Sequence, residues 1–277
     1  MSLRCRRISG RGAVLSGCLV AALVLGACGS ATSSAPTTTT TASTTTTTAR
    51  PSAAGDLAAF FAAAAASDQR LKAAAALVNG DISRTQLVVT RATAEAIAAA
   101  APTAAAQAIP AGLPPALLLP VLLVQSDLVS RYWAMRGWVP HGLLSSADSA
   151  NPVPISDWWA RYALTCLGNG AVAAARYDAD VAATRAASAA VPPVTAAPAD
   201  SRAAAELAIL LNDIEGRNAG CLSCGGTRET SLPTITWYAT PRHMPNSGKQ
   251  ADGDIHGIAF SAHYAPPTGW TIEVWAC

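Results

Sequence analysis

Three small groups of residues have the types and spacing to do chemistry. Asp252, Asp254 and His256 sit two apart, and in an extended chain all three would point to one side, an arrangement suited to acid/base work or to a metal. His243 lies nearby in sequence, whereas His263, an odd number of steps from His256, is expected on the opposite face of a regular strand. The spacing matches no established ligand motif, so no metal is expected. The plainer expectation is a polar loop, Ser247 to Asp254, leading into a strand, with Asp254, His256 and His263 as weak catalytic candidates. The second group, Cys221-Leu222-Ser223-Cys224, has redox spacing but the wrong context: it follows a helix and precedes Gly225-Gly226. A low-pKa thiol needs a helix N-terminus after a strand. The third is Cys28, preceded by Leu25-Gly26-Ala27 at the end of an apolar run. No Gly-x-Ser-x-Gly elbow is present, and Ser247-Gly248-Lys249 lacks the upstream glycine of a phosphate loop. No cofactor is expected.

The setting of Cys28 gives the chain an address. Arg4, Arg6, Arg7 and Arg11 form a positive start, and residues 12–27 carry no charge. That run is shorter than the about 20 residues a membrane span needs, and its small residues at the end read as a cleaved export signal. Leu25-Gly26-Ala27-Cys28 resembles the lipobox of bacterial lipoproteins. The resemblance covers the signal only, and residues 55–277 carry no family signature. It implies cleavage before Cys28, a diacylglyceryl group on its thiol and often a further acyl chain, such as palmitate, on the new N-terminus. Two or more chains turn marginal membrane binding into stable anchoring. The expected location is the extracytoplasmic face of a bacterial cell membrane.

Residues 28–54 follow as a tether. Thr37–Thr41 and Thr44–Thr48 are unbroken runs, and the segment has almost nothing apolar to set against its ordering entropy. As a coil it would reach about 25–30 Å, either bare or as an O-glycosylated stalk.

Of 19 Lys and Arg, four lie in the signal, leaving 15 against 17 acidic residues. A near-neutral, slightly acidic body argues against nucleic acid as a partner. Four cysteines remain beyond Cys28: Cys166, Cys221, Cys224 and Cys277. An even number in an exported domain points to two disulfides. Spacing allows three pairings; bridges from Cys166 and Cys277 to the Cys221/Cys224 loop are favoured because each closes a long loop.

Helical periodicity runs through residues 55–218. A first helix spans Asp56 to Val78, with Leu57, Phe60, Phe61, Ala64, Leu71 and Val78 on one stripe. A second starts at the capping box Ser83-Arg84-Thr85-Gln86 and ends near Ala100. Leu117–Arg136 is apolar around so much of its circumference that neighbours must bury it. A fourth helix follows Ser156, is interrupted at Gly168-Asn169-Gly170 and resumes to Ala190; a further one covers Asp200 to Arg217. The period then changes to two. Thr234–Ala239, Ile255–Tyr264 and Trp270–Cys277 read as strands, joined at the last step by Pro266-Pro267-Thr268-Gly269. The expected fold is a single α+β domain over 55–277: a helical bundle packed with a small antiparallel sheet (230–277), stapled by disulfides.

These features predict a membrane-anchored envelope lipoprotein that binds or organises something outside the cell and is not an enzyme. The alternative is a cell-surface hydrolase acting on wall or glycan material. A third possibility, a carrier of apolar ligands, would need a cavity beside Leu117–Met135. Seven tryptophans suit a sugar or interface partner where they are exposed; Trp138 and Trp270, in or beside loops, could be exposed, but burial in the core is the favoured expectation.

Overall fold

The computed structural model describes residues 6–9, 53–139, 153–192, 197–220, 228, 231–239 and 249–276. Its elements are β1 (Arg6–Ser9), α1 (Ala53–Ile82), β2 (Val88–Val89), α2 (Arg91–Ala99), α3 (Thr103–Gln107), α4 (Pro115–Arg136), β3 (Val153–Pro154), α5 (Asp157–Ala190), α6 (Arg202–Gly220), β4 (Ile235–Trp237), β5 (Lys249–Ile255), β6 (Ile258–Ala265) and β7 (Gly269–Ala276). Helices come first and an antiparallel sheet last, in the order β1-β7-β6-β5-β4, so the α+β class expected from the change of period holds. β1, from the segment read as an export signal, lies along the edge of β7.

α4 is the hub. It packs along α5 and also against α1, α2 and α6, which is why it is apolar almost all round. The α1 stripe is buried as its spacing requires: Phe60 and Leu71 are at 0% exposure, and Leu57, Phe61, Ala64 and Val78 are buried with them. On α4, Leu117, Val121, Val124, Leu128 and Met135 face the same core. α4 and α5 approach closely because Gly170 has no side chain; a Cβ there would stand 2.7 Å from the Ala134 Cβ.

Several boundaries differ from expectation. α5 does not break at Gly168-Asn169-Gly170 but runs unbroken from Asp157 to Ala190, capped by Ser156, whose side chain accepts from the Trp159 N–H. The buried contact at Gly170 holds the helix where local propensity would weaken it. The second helix begins at Arg91, not Ser83. Val88 and Val89 are extended and pair with Val153 and Pro154, and Thr90 becomes the cap, accepting from the Thr93 N–H at 3.2 Å. The buried Asp81 carboxylate accepts from the Thr90 N–H at 3.0 Å and fixes that start.

The sheet also gains a strand. Lys249–Ile255, read from sequence as a polar loop, is β5, and the expected single strand Ile255–Tyr264 is split by a two-residue turn. His256 and Gly257 both have positive φ, 54° and 76°, the signature of a tight hairpin turn whose twist matches the flanking strands. Gly253 is where β4 and β6 close in: a Cβ there would meet the Phe260 ring at 2.8 Å.

Side chains on one face of the sheet (Ile255, Phe260, Ile272) are buried against α6. Three contacts dock the sheet at the start of α6. Lys249 pairs with Asp200, Trp270 Nε1 donates to the Ala199 carbonyl at 2.9 Å, and the Arg202 guanidinium lies over the Trp237 ring at 4.3 Å. Among the described residues no helix is long and apolar enough to cross a membrane.

Candidate functional site

Register decides where the polar candidates go. Directly opposed residues share a face of the sheet. Gly253, Phe260 and Val274 form one row facing α6, while Asp252, Ser261 and Glu273 form a row on the outer face. Asp254 follows on that outer face, and so does His263, opposite Gln250. His256 leaves the strand altogether, in the turn, and its Nε2 lies 3.4 Å from Asp213 Oδ2 on α6. So Asp254 and His263 are brought to one face and His256 is taken to the other side, the reverse of the pairing that simple alternation suggests. The two-residue turn is the cause. His243 lies outside the described residues.

The outer-face row is not an open catalytic surface. Asp252 and Ser261 are buried at 3% and 1% exposure, and Asp252 Oδ1 accepts from Gln250 Nε2 at 2.8 Å. Ser261 Oγ has no hydrogen-bond partner, but at that burial a substrate carbonyl cannot reach it. Among the described residues no group of three or more His, Cys, Asp or Glu could hold a metal ion.

The concavity lies on the inner face. Between the end of α6 and the sheet is a trough of about 420 Å³, lined by Ile209, Ile255, Ile258, Phe260, Ile272 and Val274, with Asn212, Asp213, Gly216 and Arg217 along the helix side. Its lip is apolar as well, since Ile258 is 44% exposed. The polar end is built round Asp213, whose Oδ2 takes Arg217 Nε at 2.9 Å and His256 Nε2 at 3.4 Å. A second hollow, on the far side of Asp213 and Arg217 and beside Leu119, Leu122 and Leu123 of α4, has only about 20 Å³ of room, about one water. The roomy cavity that a carrier between the helices would need beside Leu117–Met135 is not found there among the described residues; the larger concavity lies one layer over, between α6 and the sheet.

Sequence periodicity missed a layer of polar groups inside the bundle. Gln125, Asp127, Ser130 and Arg131 of α4 are all buried. Arg131 donates to Asp68 Oδ1 at 2.7 Å and lies 5.6 Å from the centre of the Tyr177 ring. Ser130 donates to Asn218 Oδ1 at 2.6 Å, and Asn218 Nδ2 donates on to the Ile214 carbonyl. Asp127 Oδ1 accepts from Arg176 Nη2 at 3.1 Å. Burial pushes the Asp127 carboxyl from 3.8 up to about 7, a rise to which the adjacent Asp180 carboxyl adds and which Arg176 opposes. Asp180 in turn pairs with Arg228 at 2.8 Å. Burial, with the Asp68 charge, raises the Tyr177 hydroxyl to about 12. Arg131–Asp68, Ser130–Asn218 and Asp127–Arg176 tie α4 to α1, α6 and α5, so the layer fixes their mutual rotation.

Cys166 is fully buried and disulfide-bonded; Cys28, Cys221, Cys224 and Cys277 lie outside the described residues. The tryptophans mostly follow the favoured expectation of burial, with Trp158 the exception. Trp138 is at 0% exposure and Trp270 is half-buried, while Trp158, at the start of α5, is 67% exposed.

Comparison of the chain with protein-family models, with curated proteins and with solved structures finds no match.

Proposed function

We propose that this protein is an extracytoplasmic lipoprotein, held to the membrane by acyl chains on Cys28, whose α+β body binds an apolar or amphipathic small molecule in the trough between α6 and the sheet. The trough carries the reading. At about 420 Å³ it falls within the range of small-molecule sites, and its composition, mostly aliphatic and aromatic with a few convergent polar groups, is that of a binding pocket. The anchor reading rests on the order Leu25-Gly26-Ala27-Cys28 after a positive, then uncharged, start.

Two disulfides staple the body in this reading. Cys166 is already a cystine half. Asn218, three residues before Cys221, holds Ser130 on α4, and the neighbouring Arg131 backbone lies against Gly170, one turn beyond Cys166. These contacts support a bridge from Cys166 to the Cys221/Cys224 loop.

Gly216 supplies the test. It lines the trough, and a Cβ there would meet nothing within 4 Å, so Gly216→Phe fills the trough without a backbone clash. The full-length protein in detergent is titrated with N-phenyl-1-naphthylamine, an apolar fluorophore. Saturable binding that Gly216→Phe abolishes, with the unfolding midpoint unchanged or raised, is expected. Binding that survives the substitution refutes the site. Mass spectrometry of the mature N-terminal peptide checks the anchor, and a free thiol at residue 28 refutes it.

A further inference from the structure

We propose that Trp158 and Tyr162 form an aromatic platform for a sugar ring, and that its occupant is a pyranose polysaccharide outside the membrane. Trp158 is 67% exposed. Its ring runs parallel to that of Tyr162, one helical turn on, with an interplanar angle of 4° and centroids 6.1 Å apart. Trp159 braces both from the core side, 6.1 Å from Trp158 and 5.7 Å from Tyr162. An exposed indole held in a fixed plane is a costly surface in water. A pyranose ring matches it, presenting C–H bonds on one face and hydroxyls round its edge. Exposed Arg161, three residues from Trp158 on the same side of the helix, supplies donors to those hydroxyls.

The position on the body separates this ligand from the other surface that tryptophan favours, the bilayer. α1 and α5 run antiparallel: Arg185 lies over the Phe61 ring at 4.3 Å, and Arg131 bridges Asp68 and Tyr177. The start of α1, where the tethered segment joins, therefore sits beside the end of α5. At about 1.5 Å per residue, Trp158 is about 40 Å from Arg185, at the opposite pole. On the proposed anchor, a body tethered through α1 carries its platform away from the membrane.

The test uses full-length protein in detergent, with chitohexaose as the probe and isothermal titration calorimetry as the readout. Saturable binding is expected, weakened at least about tenfold in Trp158→Ala and unchanged in Leu164→Ala, a similarly exposed apolar residue (42%) on the same helix. Absence of binding overturns the proposal, as does equal loss in the two variants. In a second arm the protein is reconstituted in vesicles with brominated acyl chains; quenching that disappears in Trp158→Ala places the platform in the bilayer and also overturns it. Neither arm depends on the trough, which Gly216→Phe tests by itself.

Discussion

Asp127→Asn should make this protein more stable at pH 8 and leave it nearly unchanged at pH 4.5. The Asp127 side chain is 2% exposed, and burial lifts its pKa from 3.8 to about 7, with Asp180 adding to the rise. A carboxyl whose folded pKa exceeds its unfolded value holds its proton more tightly in the native state. Its contribution is full below about pH 4, is lost as pH rises toward 7, and is constant above that. Spread over about three pH units, the loss comes to about 4 kcal/mol, reduced to the extent that Arg176 turns toward the ionised form. Asparagine keeps the shape of the protonated acid and cannot ionise. For a chain of this size 1 kcal/mol moves the midpoint by about 2–4 °C, so at pH 8 the variant should melt about 10 °C above the wild type, with the two coinciding near pH 4.5. Thermal unfolding by circular dichroism at half-unit pH steps measures the difference, and subtracting the variant's curve removes every other titrating group. A wild-type minus variant curve that is flat between pH 5 and 7, or a variant less stable at pH 8, would refute the assignment of a buried, proton-holding carboxyl.

Other expectations follow from the packing. Asp68→Ala strands the buried Arg131 guanidinium and should cost about 3–5 kcal/mol, most of it recovered in the double variant with Arg131→Met; urea unfolding of the pair checks this. Gly170→Ala pushes a methyl group to 2.7 Å from the Ala134 Cβ and should cost about 1–3 kcal/mol by overpacking. Gly216→Ala, in a helix and facing open space, should gain about 1 kcal/mol from helix propensity alone. Gly253→Ala should disturb the β4–β5–β6 pairing, because its methyl group meets the Phe260 ring; faster amide hydrogen exchange in Lys249–Ala265 is the expected readout.

How much could be read beforehand varied with how local the cause was. The stripe of α1 and the all-round apolar character of α4 were legible because burial imposes a pattern on the sequence. The continuity of α5 through Gly168-Asn169-Gly170 was not, since it depends on α4 supplying Ala134 to pack against Gly170. The β5 strand was hidden by its composition, Lys249-Gln250-Ala251-Asp252-Gly253-Asp254, which looks like a loop until β4 and β6 satisfy its backbone. His256-Gly257 carried a usable signal in the glycine, but a single Gly inside an alternating run does not by itself distinguish a bulge from a turn.

The linear chain alone determines the class, and it is the whole basis of the proposed address. A charge-free run ending at Leu25-Gly26-Ala27-Cys28, a Thr/Ser tract with nothing to bury, and a switch from helical to alternating periodicity near residue 230 are properties of neighbours in sequence. Only the folded body decides which residues meet. Asp213 and His256, 43 positions apart in the numbering, come together because the turn at His256 faces the last turns of α6. Trp158 stays in water while Trp138 is sealed, because burial of a large side chain depends on what packs over it, and that is a property of distant segments.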